Sequence, residues 1–261
     1  MKSGKLSVAL VACIHGDEVA GIRVFKELKK NNALRNKVGF FVAHPQALRQ
    51  RKRFITADLN RSFPGSRTGT LEERIAYKLR RKLKSFDIVL DIHTTNSGID
   101  RLAIVTSLSP AVKNILKFIP IEKVAIVPRG VFGGKELIRY HRAGVSLEYG
   151  PNKSGKNYRK IVSDINVLFR NLGILPKHQH GFFLHKELYR VRGIYRLQDG
   201  VRPERKLRDF SPIREGQAIG KTREGTIVQS NRSFYPLFLG KGRYPKTFAL
   251  ISSKEKLLLK K

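Results

Sequence analysis

The sequence predicts an α/β fold, a mostly parallel sheet flanked by helices over residues 1–176, with a smaller all-β C-terminal domain over residues 177–261. Three observations carry this expectation. Up to Pro176, short apolar runs rich in β-branched residues alternate with segments whose apolar residues recur at helical spacing. Past Pro176 that spacing disappears, and short strand-like runs sit between turn signals. The residues with the most chemistry, His15, Glu18, His93 and Glu148, fall at or just past the carboxyl ends of predicted strands, where open α/β sheets bind their ligands.

Leu6–Ile14, an apolar run that ends in a small-residue turn, is the first buried strand. It is at the lower limit for a secretion signal, and cleavage before Cys13 would start the chain at the very edge of the His15–Glu18 motif. Asp17–Lys30 places Val19, Ile22, Phe25 and Leu28 at helical spacing, so Glu18 is expected in the first turn of a helix, where the dipole also favours a carboxylate. Lys37–Ala43 reads as the second strand, and the arginine-rich stretch Leu48–Gly69 as a long functional loop. Thr70 and Glu73 form a capping box that opens a helix to Leu83. Strands follow at Asp87–Ile92, Leu102–Ser107, Lys123–Val127 and Val145–Glu148. Ser109-Pro110 starts a helix through Phe118, Pro128–Gly134 is a glycine-rich turn, and Asn157–Leu172 is a long helix stopped by Gly173. The β segment reads as Phe182–Val191, Gly193–Leu197, Gln217–Lys221, Thr226–Gln229 and Pro236–Leu239, with Lys254–Lys261 as a solvated tail.

A chain of 261 residues that is 41% hydrophobic buries a sizeable core, which excludes wholesale disorder. A net charge of +33 attracts anions of any size and predicts non-specific attraction to polyanions, but says nothing about fold. With one cysteine there is no intrachain disulfide, which fits a cytoplasmic protein. No apolar run reaches the length needed to span a bilayer, so no membrane partner is expected.

His15, Glu18 and His93 form a candidate metal site of three protein ligands, which leaves zinc one position for water. Glu148 then stands as a general base that passes a proton to the leaving nitrogen, and Asp91 can orient a ligand. His44 and His141 read as ordinary structural histidines, and the run Arg49–Arg53 mostly as solvated charge.

His15-Gly16-Asp17-Glu18, Asp58 to Gly65 (DLNRSFPG), Asp91-Ile92-His93-Thr94-Thr95 and Ser146-Leu147-Glu148-Tyr149-Gly150 appear in this order along the chain. With these motifs the chain resembles the aspartoacylase and succinylglutamate desuccinylase family, a branch of the zinc-carboxypeptidase-like hydrolases. The resemblance implies one zinc ion per chain on His15, Glu18 and His93, with Glu148 activating water. It implies that Asn60, Arg61 and Arg53 bind substrate, with Arg61 also close to the polarised carbonyl and so catalytic. Tyr244, in Pro236–Phe248, matches the family's substrate tyrosine loosely and reads equally well as a surface or core residue. The family's further substrate arginine has no clear counterpart, Arg139 being the nearest.

The expected activity is therefore zinc-dependent hydrolysis of the amide or ester bond of a small anionic N-acyl amino acid. A carboxypeptidase-like peptide hydrolase needs the same residues. A nucleic-acid-binding protein on a degenerate hydrolase scaffold rests on charge alone, since no zinc-finger spacing or RNA-binding aromatic signature is present.

Overall fold

Val8–Ala12 (β1) has parallel neighbours on both sides, and all five residues are fully buried. The computed structural model describes residues 6–35, 37–150, 157–176, 181–240 and 247–260. After β1 come helix α1 (Ala20–Leu28), α2 (Asn32–Arg35), β2 (Val38–Val42), α3 (Pro45–Arg49), α4 (Leu71–Leu83) and β3 (Ile88–Thr94). β4 (Arg101–Val105), α5 (Pro110–Leu116), β5 (Lys123–Ile126), α6 (Arg129–Phe132), β6 (Ala143–Tyr149) and α7 (Asn157–Asn171) follow. The chain then runs through β7 (His185–Arg196), β8 (Arg202–Pro203), β9 (Ala218–Lys221), β10 (Ile227–Gln229), β11 (Tyr235–Leu237) and β12 (Thr247–Leu258).

The main sheet has the order β11-β12-β7-β5-β4-β6-β3-β1-β2. β1 pairs in parallel with β2 and β3, β3 with β6, and β5 with β4 and β7. β4 runs antiparallel to β6, and β12 antiparallel to both β7 and β11. Side chains alternate across β1: Val8, Leu10 and Ala12 join the core beneath α1, α5 and α7, whereas Ala9 and Val11 pack with Ala76, Leu79 and Leu83 of α4. A strand covered on both faces has no polar side, which is why its sequence is an unbroken apolar run. Replacing Leu10 by alanine would cost roughly 2–5 kcal/mol, the usual range for a fully buried leucine.

Two predicted helix starts form by the expected chemistry. The Thr70 hydroxyl and the Glu73 carboxylate make the reciprocal capping box of α4, and the Ser109 hydroxyl accepts from the Val112 amide with Pro110 at the first helical position. Helix α1, however, begins at Ala20 rather than Asp17. The Glu18 amide instead closes a turn onto the His15 carbonyl, 3.1 Å away, and Glu18 precedes the helix.

The expected tail is a second difference. Lys254, Glu255 and Lys256 lie within β12, paired along β7, because Arg190 grips Glu255 and Lys254 meets Glu187 while Leu259 returns to the core. The two strands read on either side of Arg192 form one strand, β7, whose register against β12 shifts there. β7 also pairs with β5, so the main sheet continues beyond Pro176. β8, β9 and β10 form a separate antiparallel sheet.

Candidate active site

The chain leaves β1 through Cys13, whose φ of 57° turns the backbone so that His15 and Glu18 face the carboxyl end of the sheet. Gly16 has no room for a side chain: a Cβ there would fall 2.2 Å from the Ala47 carbonyl carbon of α3. Burial also pushes the Cys13 thiol up to about 12, with the Glu18 charge adding to it, so it is an inert filler.

His15, Glu18 and His93 are 4%, 2% and 4% exposed, and one ligand atom from each lies within 4.8 Å of the others. The Glu18 carboxylate sits between the two rings, with Oε1 2.8 Å from His15 Nδ1 and Oε2 3.0 Å from His93 Nδ1. The Thr94 amide also donates to Oε2, at 3.0 Å. The far nitrogens are held as well: His15 Nε2 is 3.1 Å from Asp58 Oδ1, and His93 Nε2 is 2.6 Å from Asp91 Oδ2. Carboxylates that accept Nε2–H leave both Nδ1 lone pairs converging on Glu18, the tautomer that a cation requires. Without a cation, burial would lower the affinity of His93 for a proton, but Asp91 and Glu18 together raise its pKa well above the usual histidine value. Burial would likewise raise the Glu18 carboxyl, yet His15 and His93 hold it well below the usual range. Two imidazoles and one carboxylate, dry and pre-oriented, fit a divalent ion that accepts nitrogen and oxygen ligands.

Glu148 lies on β6, directly across from His93 in the parallel register, and faces the same cavity. The loop after α3 adds Arg53, Asn60 and Arg61. Arg53 lies 3.5 Å from Glu18 Oε1 and 3.2 Å from Asp58 Oδ2. The Asn60 side-chain carbonyl accepts from the Leu137 amide at 3.1 Å, and the Arg61 guanidinium lies 3.9 Å from the Phe132 ring centre. Glu72, fully buried in the first turn of α4, anchors this loop by accepting from the amides of Ile55 and Thr56, the Thr56 hydroxyl and His44. Burial alone would raise the Glu72 carboxyl, but the bonds from Thr56, His44 and Ile55 lower it to about 2.

The cavity has a volume of about 330 Å³. Its polar end is the cluster just described; its other walls include Ile104, Val127, Phe132 and Ile138. Ile194, Arg196, Phe238 and Leu250 close it from the C-terminal β region. The fold thus brings seven of the eight residues expected to hold metal, catalyse or bind substrate to one cavity: His15, Glu18, Arg53, Asn60, Arg61, His93 and Glu148. Tyr244 lies outside the described residues. Arg139 is not on the cavity wall; it binds Glu136 and donates to the Val127 carbonyl. His44 caps α3 through the Ala47 amide.

Three contributors escaped sequence reasoning. Asp58 was visible as the opening of its motif, but its bond to His15 spans 43 residues. Glu72 looks like an ordinary acidic residue in a helix first turn, and nothing local marks Glu136 as a wall of the cavity.

Residues 5–170 match the family model described as succinylglutamate desuccinylase/aspartoacylase catalytic domain. A probable aspartoacylase of Nostoc sp. is 23% identical, with 96% of this chain and 97% of that protein aligned. An N-acyl-aromatic-L-amino acid amidohydrolase (carboxylate-forming) of Xenopus tropicalis is 25% identical, over 95% of this chain and 92% of the relative. Among solved structures, murine aminoacylase 3 superposes with a TM-score of 0.80 at 20% identity, covering 99% of this chain and 98% of that one. Succinylglutamate desuccinylase from Vibrio cholerae gives 0.71 at 21% identity, over 97% and 82%.

Proposed function

The chain belongs to the succinylglutamate desuccinylase/aspartoacylase catalytic-domain family, and from that premise we propose that it is a zinc-dependent hydrolase of small N-acyl amino acids. The observation that carries this reading is the convergence of His15 Nδ1, His93 Nδ1 and the Glu18 carboxylate, with Glu148 in register beside them. His15, Glu18 and His93 would hold the ion, which when bound supplies a Lewis acid for the acyl carbonyl and acidifies water.

The protein's own residues supply the rest. Glu148 takes a proton from the attacking water as its oxygen bonds to the acyl carbon. The same carboxyl then gives that proton to the amide nitrogen as the C–N bond breaks, releasing a carboxylate and an amino acid. Arg61 and Asn60 grip the substrate carboxylate, the planar guanidinium suiting a bidentate contact, and Arg61 steadies the negative charge that develops on the carbonyl oxygen. Arg53, anchored by Asp58, adds positive charge beside Glu18 and the substrate. The walls given by Ile194, Phe238 and Leu250 favour a small substrate over a peptide chain. No helix among the described residues is long and apolar enough to cross a membrane.

The net charge of +33 supports attraction to polyanions as a side property of the enzyme, one that falls steeply with salt and shows no sequence preference. The test of the enzymatic reading is hydrolysis of a panel of N-acyl amino acids before and after chelation. Chelator-sensitive release of a free amino acid is expected; turnover that chelation leaves intact, or none on any member after zinc is restored, overturns the reading.

A further inference from the structure

Glu136 opens the 3-10 turn Leu137–Tyr140 and lines the same cavity as the candidate metal cluster. The turn is pressed onto β6, because a Cβ on Gly144 would fall 2.2 Å from the Ile138 carbonyl oxygen. Glu136 is 6% exposed, and one of its carboxylate oxygens is engaged: Oε2 accepts from Arg139 Nε at 3.0 Å. Arg139 in turn donates to the Val127 carbonyl at 3.1 Å, which fixes the pair to the end of β5. The other oxygen, Oε1, is buried with no hydrogen-bond partner among the described residues. A buried acceptor left unmet is costly, and the catalytic steps above make no use of it.

Its surroundings say what would meet it. Val127, Phe132 and Ile138 line the cavity with Glu136 and give it apolar walls. Arg61, the proposed holder of the substrate carboxylate, lies over Phe132, and Asn60 holds the amide of Leu137, the residue after Glu136. An amino acid whose carboxylate is gripped by Arg61 and Asn60 therefore has its side chain within reach of this wall. Arg139 already compensates the Glu136 charge, and Arg61 and Arg196 line the same space, so the site does not call for a cation.

We propose that Glu136 selects the substrate side chain: its carboxylate, held at Oε2 by Arg139, turns its unpartnered oxygen into the cavity on binding and accepts a hydrogen bond from a neutral donor at the tip of an apolar side chain, a donor that a side-chain carboxylate lacks. The donor is a hydroxyl, a carboxamide or an indole N–H. This inference rests on the N-acyl amino acid reading of the site.

The test compares kcat/KM on two matched pairs, N-acetyltyrosine with N-acetylphenylalanine and N-acetylglutamine with N-acetylglutamate, in the wild type, Glu136→Leu and Glu136→Gln. Calorimetric affinities for the four free amino acids are measured alongside, with unfolding midpoints as a check on each variant's fold. The wild type should prefer the donor of each pair by about tenfold or more, because a site built around an acceptor rejects the analogue that lacks the donor. Glu136→Leu should bring the tyrosine ratio near one. Glu136→Gln, which keeps an acceptor and adds a donor, should retain more of the tyrosine preference and gain activity on N-acetylglutamate.

A wild-type ratio near one, a preference for N-acetylglutamate, or wild-type ratios in Glu136→Leu would overturn the proposal. Hydrolysis that ignores the donor sinks this inference and leaves the amidohydrolase reading standing. Glu136-dependent binding of tyrosine over phenylalanine without hydrolysis of any substrate does the reverse. Neither binding nor hydrolysis removes both.

Discussion

His93 and Glu148 occupy paired positions on the adjacent parallel strands β3 and β6. Two residues in register on neighbouring strands send their side chains to the same face, so a candidate metal ligand and a candidate base reach one cavity from two rigid elements. The same pairing sets Asp91 beside Ser146, whose hydroxyl donates to the Asp91 carboxylate at 3.4 Å. Strands, rather than loops, thus fix two of the four residues that make up the candidate metal cluster and its base.

Glu148→Gln keeps the shape of the side chain and removes its basicity. Turnover is expected to fall by about 10²–10⁴, the usual contribution of a positioned base, with zinc content unchanged. Steady-state rates together with metal analysis check this. Wild-type turnover in the variant would remove Glu148 from the proton transfer.

Asp91 orients His93 through a 2.6 Å bond, so Asp91→Asn should loosen the ligand without deleting it. Metal affinity is expected to drop by about 10–100-fold, measured by competition with a chromophoric chelator. An unchanged affinity would show that the strand alone positions the ring.

Arg61→Ala should lower kcat/KM by about a hundredfold while zinc stays bound. Arg61→Lys should recover little of it, since an ammonium lacks the planar fork. Kinetics on the best N-acyl substrate distinguish these outcomes, and full recovery with lysine would leave only a charge at this position.

Glu72 makes stability depend on acid pH. Its folded carboxyl sits at about 2, below the ordinary 4.5, so the unfolded chain takes up the proton first as pH falls. The stabilisation is complete above pH 4.5 and is lost as pH drops from there to about 2, an effect of roughly 3 kcal/mol at full size. Urea unfolding of the wild type and Glu72→Gln across that range should show the two curves converging in acid. Parallel curves would mean that Glu72 is not the responsible group.

Much of this was legible in the sequence because it is written locally. The β1 run, the Thr70–Glu73 box and the Ser109-Pro110 start each depend on neighbours within a few residues. The order of the strands is less local, yet chemistry-bearing residues at three strand ends pointed to one edge of the sheet. Long-range pairing was not legible. Lys254 and Glu255 look like tail residues until β7 supplies Glu187 and Arg190 opposite them. Asp58 shows its role only when the loop folds back over β1, and Glu136 only when its turn is pressed against β6. Glu18 misled for a local reason, since a turn closed by its own amide delays the helix to Ala20.

The most direct measurement is the metal content of the purified protein and of His93→Ala, each after reconstitution with zinc and removal of excess. About one zinc per chain in the wild type, and little or none in the variant, is the predicted result. A wild type that holds no metal, or a variant that holds as much as the wild type, would contradict the account at its centre.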